Sequence, residues 1–190
     1  MFDVKQDLRH RARLVALGNL TEVPKDSTYS GVVSLRSLRM CILIAELNDL
    51  KVQAADISSA YLEAYTNEKV CFTAGPEFKE LEGHTIVIIK ALYGLRTSGA
   101  RWHEKLADTL YDLGFIPCKS DPDVWMKDCG AYYEYVCVYV DDLAVMMKDP
   151  EQFFKDLKKV GGYGLKGEGE IKYHIGGDFF RDPDGTLVYA

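Results

Sequence analysis

The spacing of apolar residues along the chain predicts three helices. Residues 32–48 repeat apolar positions with the period of a helix, and residues 98–113 do so more clearly. In the second segment Trp102, Leu106 and Leu110 are four residues apart, and Gly114 follows as an end signal. A third helix is predicted from Asp149, a good N-cap with proline in the first turn behind it, to about residue 159.

Short runs rich in β-branched and aromatic residues predict the strands. They are Lys51–Ala55, Val70–Phe72, Thr85–Ile89, Tyr135–Val140, Leu143–Met147, Ile171–Phe180 and Thr186–Tyr189. Combined with the helices, this order predicts an α+β fold with an antiparallel sheet and with the helices on one of its faces. A split β-α-β arrangement fits the order of the segments.

Composition narrows the class of protein. At 190 residues and 47% hydrophobic, the chain can bury the core of one domain. No apolar run approaches the roughly 18 residues that a membrane span needs, so we expect no membrane association and an intracellular setting. The five cysteines are odd in number and scattered, which favours free thiols in a reducing compartment over disulfides or a zinc site.

The charge is unevenly distributed. The formal net charge is −6, with +3 in residues 1–40 and −9 in residues 41–190. An overall negative charge argues against a simple polyanion binder, because nucleic-acid affinity depends largely on Lys and Arg. A basic start joined to an acidic body is, however, compatible with a protein that binds divalent cations.

The candidate chemistry lies in three aspartates. Asp141 and Asp142 stand between two strongly strand-forming runs, and Asp56 ends another predicted strand. An isolated Asp-Asp pair is more often a tight turn than a site. Three carboxylates at strand ends, however, supply the hard oxygen ligands that Mg²⁺ prefers. Two such ions about 4 Å apart can activate a 3′-hydroxyl and stabilise the departing pyrophosphate.

Five segments in this order resemble the reverse transcriptase of copia-type long-terminal-repeat retrotransposons. They are RARLVALG (Arg11–Gly18), AADISSAYLEA (Ala54–Ala64), KALYGLRTSGARWHEKL (Lys90–Leu106), VYVDDLAVMM (Val138–Met147) and LKGEGEIKYHIGGDF (Leu165–Phe179). Each motif alone is only modestly specific, but the five segments occur in the family's order and the resemblance covers nearly the whole chain.

The resemblance implies roles for individual residues. It makes Asp56, Asp141 and Asp142 the catalytic and metal-binding residues, with two Mg²⁺ as cofactor and Mn²⁺ as an alternative. The same resemblance makes five further residues contacts of the incoming nucleotide: Arg11, Arg13, Tyr61, Gly94 and Arg96. Among these, Tyr61 would stack beneath the sugar and exclude a 2′-hydroxyl, and Arg11 or Arg13 would grip the triphosphate.

The resemblance also implies an organisation and partners. Residues 1–190 would form one reverse transcriptase domain, with a ferredoxin-like palm at about 51–64 and 96–180. Partial fingers would lie at about 1–50 and 65–95, and we expect no thumb and no RNase H region. The implied partners are an RNA or DNA template with its primer, a dNTP, and the integrase and RNase H parts of a Pol polyprotein. The implied location is a cytoplasmic virus-like particle, with a nuclear stage.

Two other interpretations remain open at the level of sequence. The chain could be a non-enzymatic retroelement remnant or a nucleic-acid-binding fragment that keeps the polymerase fold. Alternatively, it could be a metal-dependent nucleotidyltransferase or cyclase with a related palm. Tyr61 and the segment from Lys90 to Trp102 favour the polymerase over the last of these.

Overall fold

The structure is a computed structural model that describes residues 2–4 and 10–190, and the side chains of residue 10 and of residues 13–190. None of the helices in this part of the chain has the length and apolarity needed to cross a membrane. The helices are α1 (Leu35–Leu47), α2 (Ala60–Glu63), α3 (Ser98–Asp112) and α4 (Pro150–Gly161), with a 3-10 segment at Pro76–Leu81.

The strands are short and fall into several sheets. They are β1 (Phe2–Val4), β2 (His10–Ala12), β3 (Lys51–Ile57), β4 (Cys71–Thr73), β5 (Thr85–Val87), β6 (Ile116–Pro117), β7 (Val124–Asp128), β8 (Tyr133–Tyr139), β9 (Asp142–Met147), β10 (Leu165–Glu170), β11 (Tyr173–His174), β12 (Gly177–Arg181) and β13 (Leu187–Tyr189). The largest sheet has six strands in the order β10-β3-β9-β8-β7-β6. Each neighbouring pair in it is antiparallel, which confirms the predicted α+β class with an antiparallel sheet.

The helices cover both faces of the six-stranded sheet, so the expectation of helices on one face was wrong. Successive residues of a strand point to opposite faces. Val52 on β3 belongs to the core cluster that contains Leu38 and Cys41 of α1. The next residue, Gln53, donates a hydrogen bond of 2.8 Å to Glu151 of α4. The sequence could not assign helices to faces, because an apolar stripe does not identify the surface it covers.

Capping explains where the long helices begin and end. Ser34 accepts a hydrogen bond of 3.1 Å from the backbone N–H of Ser37, so α1 begins just after it. Asp149 caps α4 in the same way through the N–H of Gln152, at 3.0 Å. Gly162 then ends α4 in the left-handed conformation.

The end of the chain has one strand more than predicted. The segment Ile171–Phe180 is not continuous, because Ile175 and Gly176 have φ of 47° and 79° and turn the chain between β11 and β12. With β13 these strands form a three-stranded sheet. Arg181 on β12 binds Glu46 of α1 through two hydrogen bonds of 3.0 Å, which fasten this sheet to the helix.

Residue contacts divide the chain into two compact units, and each unit is discontinuous in sequence. The first unit contains Met1–Ser30 and Tyr61–Glu104, and the second contains Gly31–Ala60 and Lys105–Ala190. The six-stranded sheet lies in the second unit. Residues 31–50 also belong to the second unit. The assignment of residue ranges to fingers and palm stays a prediction.

Candidate active site

Two of the three predicted catalytic aspartates are direct partners in the six-stranded sheet. Asp56 lies near the end of β3 and Asp142 begins β9, and the antiparallel register places them opposite each other. Tyr139 on β8 is the partner of Asp142 on its other side. Directly opposite residues share a face of the sheet, with Cβ atoms about 5 Å apart. Both carboxylates therefore emerge on one face, at one end of the sheet.

The third aspartate lies in the turn that joins β8 to β9. Val140 and Asp141 form this turn, and Val140 has φ of 59°. A β-branched residue with positive φ is strained, and such strain persists only where the surroundings enforce it. The carbonyl of Asp141 accepts a hydrogen bond of 2.7 Å from the backbone N–H of Ile57. This bond fixes the turn against the end of β3, next to Asp56.

The electrostatics of the site are those of carboxylates in close proximity. All three aspartates are half-buried. Burial first, and then the negative charges of Asp141 and Asp56, together raise the pKa of Asp142 from 3.8 to about 6. A cation would relieve both effects, so the donor set suits a hard divalent metal ion.

The side chains do not, however, already form a complete coordination set. Within the described residues, no group of three or more His, Cys, Asp or Glu side chains is arranged to hold one metal ion. The fold brings the aspartates together, while their role as ligands of magnesium stays a prediction.

Lys166 is a residue near this site that the sequence analysis missed. It lies on the edge strand β10, opposite Asp56 in the antiparallel register. The side chain is exposed, and the register places Lys166 on the same face of the sheet as Asp56. The signal was weak, because the glycine-rich sequence of β10 has no strand-like alternation of apolar and polar residues.

A second cluster of predicted site residues lies in the first unit, around Tyr93. The ring centroids of Tyr61 and Tyr93 are 5.0 Å apart with the planes tilted by 52°. The guanidinium carbon of Arg13 lies 5.6 Å from the centroid of the Tyr93 ring. Tyr93 thus contacts two of the predicted nucleotide-binding residues, although the sequence analysis did not single it out.

Gly94 and Arg96, which follow Tyr93, contact the segment just after Arg13. Gly94 has φ of 90°, and a Cβ at this position would overlap the carbonyl oxygen of Ala16. The Nε atom of Arg96 donates a hydrogen bond of 2.7 Å to the carbonyl of Gly18. Glycine at position 94 is therefore required both by its backbone conformation and by the close approach of the two segments.

The remaining candidate, Arg11, and two other basic residues of the motif segments, Lys90 and Arg101, have other partners. The backbone of Arg11 pairs with Asp3 in β1, and the side chain of Arg11 is outside the described residues. Lys90 lies 4.0 Å from the ring centroid of Tyr65, and Arg101 forms an ion pair of 2.6 Å with Glu104. In the first unit, the structure thus brings together Arg13, Tyr61, Gly94 and Arg96.

Comparison with known proteins agrees with the motifs. The family model described as reverse transcriptase (RNA-dependent DNA polymerase) matches residues 2–189. The chain is 28% identical over 182 residues to the retrovirus-related Pol polyprotein from transposon RE1 of Arabidopsis thaliana, covering 93% of this chain and 12% of that protein. It is 27% identical over 196 residues to the corresponding polyprotein from transposon TNT 1-94 of Nicotiana tabacum, covering 96% of this chain and 14% of the relative.

These matches confirm the predicted resemblance to copia-type Pol polyproteins, of which the chain spans only a small part. A family model that covers nearly the whole chain also removes the cyclase interpretation. We conclude that this chain belongs to the reverse transcriptase (RNA-dependent DNA polymerase) family.

Proposed function

We propose that this chain is the polymerase module of a retrotransposon Pol polyprotein, and that it extends a primer on an RNA template by transferring deoxynucleotides to the 3′-hydroxyl. The observation that carries the proposal is the register of Asp56 opposite Asp142, beside a strained two-residue turn that contains Asp141. Strain and like charge both lower stability, and they are characteristic of sites maintained for chemistry.

In this proposal Asp56, Asp141 and Asp142 hold two Mg²⁺, for which Mn²⁺ can substitute. When bound, the ions make the 3′-hydroxyl a better nucleophile and neutralise the developing charge of the pyrophosphate. The protein contributes the position of its carboxylates. Asp142 is fixed by strand pairing on both sides, through Asp56 and Tyr139, so it needs little reorganisation to act as a ligand.

The nucleotide would be bound by the cluster around Tyr93. Arg13 would contact the triphosphate, since its guanidinium can donate paired hydrogen bonds to phosphate oxygens. Tyr61 would lie beneath the sugar, where its ring would exclude a 2′-hydroxyl. Contact with Tyr93 supports these roles by restricting the rotamers of both side chains.

The strand order supports a palm of the split β-α-β type. The strands β3, β8, β9 and β10 are neighbours in the sheet, in the order β10-β3-β9-β8. Along the chain, α3 lies between β3 and β8, and α4 lies between β9 and β10. We assign these four strands, together with α3 and α4, to a ferredoxin-like palm and the rest of the first unit to partial fingers.

We further propose that the module acts with a template, its primer and dNTPs, next to the integrase and RNase H parts of a longer polyprotein. Its place of action would be a cytoplasmic virus-like particle, followed by a nuclear stage. The names of the relatives, which are Pol polyproteins of transposons, support this context.

Metal binding can be tested on this chain without polymerase activity. Titration with Mn²⁺, followed by electron paramagnetic resonance, measures the affinity of the wild-type chain and of Asp142→Asn. We expect Asp142→Asn to bind Mn²⁺ at least about tenfold more weakly, equivalent to about 1.4 kcal/mol. Asp108→Asn is the matched control, because Asp108 is an exposed aspartate on α3. Equal affinity of all three proteins would contradict the metal site.

Nucleotide transfer is tested by primer extension with oligo(dT) on poly(rA). The chain is used alone and also joined to the segment that follows the matched region in the RE1 polyprotein. We expect extension that requires Mg²⁺, is abolished by Asp141→Asn and is unchanged by Asp108→Asn. Equal extension by the wild-type and Asp141→Asn proteins would refute the assignment. Salt-sensitive template binding without any extension would favour a non-enzymatic fragment.

A further inference from the structure

Three cysteines of the second unit, Cys41, Cys118 and Cys137, lie at the packing surface between α1 and the six-stranded sheet. Cys41 on α1 and Cys137 on β8 are 5% and 0% exposed, and both belong to the core cluster between the helix and the sheet. Cys118 follows β6 and is half-buried. The described cysteines are all free thiols.

A cavity gives access to two of these thiols. It has a volume of about 730 Å³, and its lining includes Cys41, Cys118, Met40, Ser37 and Asp121. This volume is far larger than the roughly 30 Å³ that one water molecule occupies in the liquid. Small polar solutes can therefore reach Cys41, although that residue is nearly buried.

The two core thiols interact directly, and the interaction differentiates them. A hydrogen bond from Cys137 lowers the pKa of Cys41, although burial and the negative charge of Asp121 act in the opposite direction. The same hydrogen bond raises the pKa of Cys137, and burial raises it further. Cys41 lines the cavity, whereas Cys137 is 0% exposed and is not part of the lining, so Cys41 is the thiol that a solute meets first and its lowered pKa favours reaction there.

A soft metal ion is the other ligand that neighbouring cysteines suggest. It is not favoured, because in the described part of the chain no group of three or more His, Cys, Asp and Glu side chains is arranged to hold a metal ion. A thiol that lines a cavity, whose pKa is lowered and that has a second thiol as its neighbour is instead the arrangement of peroxide-reactive cysteine pairs.

We propose that Cys41 and Cys137 form a modification site for small hydroperoxides, which enter through the cavity and convert the pair into a disulfide between α1 and β8. The Cys41 thiolate attacks the peroxide oxygen, the O–O bond breaks, and Cys41 sulfenic acid and hydroxide form. The Cys137 thiol then attacks the Cys41 sulfur, and the hydroxyl leaves as water. In total, two thiols are oxidised to one disulfide and one hydrogen peroxide is reduced to two waters.

Cys137 needs no access to solvent in this sequence of steps, because it reacts only with its neighbour. Cys118 is the competing site. Its thiol lies 3.1 Å from the hydroxyl of Ser120, and this hydrogen bond lowers the pKa of Cys118. Cys118 also lines the cavity. The experiment therefore has to distinguish these thiols from one another.

The test is a peptide map of the folded chain after exposure to hydrogen peroxide. Remaining thiols are alkylated, the chain is digested without reduction, and the linked peptides are identified by mass. We expect one intramolecular link between Cys41 and Cys137, with a loss of two hydrogen atoms that dithiothreitol reverses. A link from Cys41 to Cys118, oxidation confined to other cysteines, or full alkylation of Cys137 after peroxide would each overturn the proposal.

Variants assign the order of the steps. Cys41→Ser should leave Cys137 reduced, whereas Cys137→Ser should accumulate a sulfenic acid on Cys41 that dimedone traps. Cys71→Ser is the matched control, because Cys71 is exposed and lies in the first unit, and it should form the link as the wild-type chain does. Circular dichroism verifies that each variant is folded. If a variant does not fold, the peptide map of the wild-type chain alone decides whether Cys41 and Cys137 form the link. All readouts are independent of nucleotide transfer.

Discussion

Asp56 and Asp142 occupy the same rung of the antiparallel ladder between β3 and β9, so two negative charges face each other across one pair of strands. Like charges directly opposite each other in a sheet are destabilising.

Removing one charge of the pair should stabilise the metal-free chain. Asp142→Asn keeps the size of the side chain and removes a half-buried charge whose pKa is raised by burial and by Asp141 and Asp56. After allowance for solvent screening, we expect the free energy of unfolding to rise by about 1 kcal/mol at pH 7 in EDTA. Urea unfolding measures it, with Asp108→Asn as the unchanged control. A decrease for Asp142→Asn would show that the carboxylate has a structural role.

The pH dependence of stability should contain two opposing contributions between about pH 4 and 6.5. His174 is 3% exposed, and burial lowers its pKa from 6.5 to about 4. Between these two pKa values the unfolded chain binds one proton more at His174 than the folded chain does. The contribution of His174 to stability is therefore lost as the pH falls. The pKa of Asp142 is raised to about 6, so here the folded chain binds more protons than the unfolded chain does. The contribution of Asp142 to stability is therefore lost as the pH rises.

Single variants should separate these contributions. In the metal-free chain that carries His174→Leu, the free energy of unfolding should fall as the pH rises from 4 to 6. In the metal-free chain that carries Asp142→Asn, the free energy of unfolding should rise over the same range. We expect each variant to change the difference between the two pH values by about 1 to 2 kcal/mol. Urea unfolding at several pH values measures this. Parallel curves for the wild type and both variants would contradict both assignments.

Gly94 should be much less tolerant of alanine than another glycine with similar backbone angles. Gly94 and Gly83 have φ of 90° and 79°, but only at Gly94 would a Cβ overlap another residue, Ala16. Gly83→Ala should cost about 1 kcal/mol for its positive φ. Gly94→Ala should cost at least about 2 kcal/mol more, because the backbone of Ala16 cannot move aside easily. Equal midpoints of urea unfolding would show that the two segments are not held together.

The ring of Tyr93 should influence how the proposed polymerase module selects the sugar of the nucleotide. Tyr93→Leu removes the ring that contacts Tyr61 and Arg13, whereas Tyr93→Phe keeps it. In the primer-extension assay, we expect Tyr93→Leu to lower the preference for dTTP over UTP by about tenfold, or about 1.4 kcal/mol. Tyr93→Phe should retain the preference. If Tyr93→Leu lowers both incorporations equally, Tyr93 does not act through Tyr61.

Lys166 should weaken metal binding through its charge. Lys166 lies opposite Asp56 and is exposed, so Lys166→Gln should strengthen Mn²⁺ binding only about two- to threefold. The gain should diminish at high salt, because exposed charges are screened. Lys159→Gln near the end of α4 is the control and should change nothing. An unchanged affinity for Lys166→Gln would mean that its side chain points away from the carboxylates.

The sequence predicted those segments whose own residues specify their structure. Asp149 and Pro150 carry the N-terminal signal of α4, and the apolar runs on either side of Asp141 specify the β8–β9 hairpin. Asp56 is included in β3, one residue beyond the predicted strand. These features depend on local chemistry, and the structure agrees with them.

Features that depend on distant partners were not predicted. The strand β10 has the sequence LKGEGE, with little preference for a strand, and its strand structure comes from pairing with β3. Lys166 was missed for this reason. Tyr93 was passed over because its significance lies in contacts with Arg13 and Tyr61, which are distant in sequence.

The division of the chain into two interleaved units has a consequence for its synthesis. When the ribosome has produced β3, the strand β9 that pairs with it has not yet been made, and the segment from Tyr61 to Glu104 must emerge in between. Until then β3 is an open edge, and open edges of this kind promote aggregation. A premature stop codon before β9 would therefore produce an aggregation-prone polypeptide and not a shorter version of the folded domain.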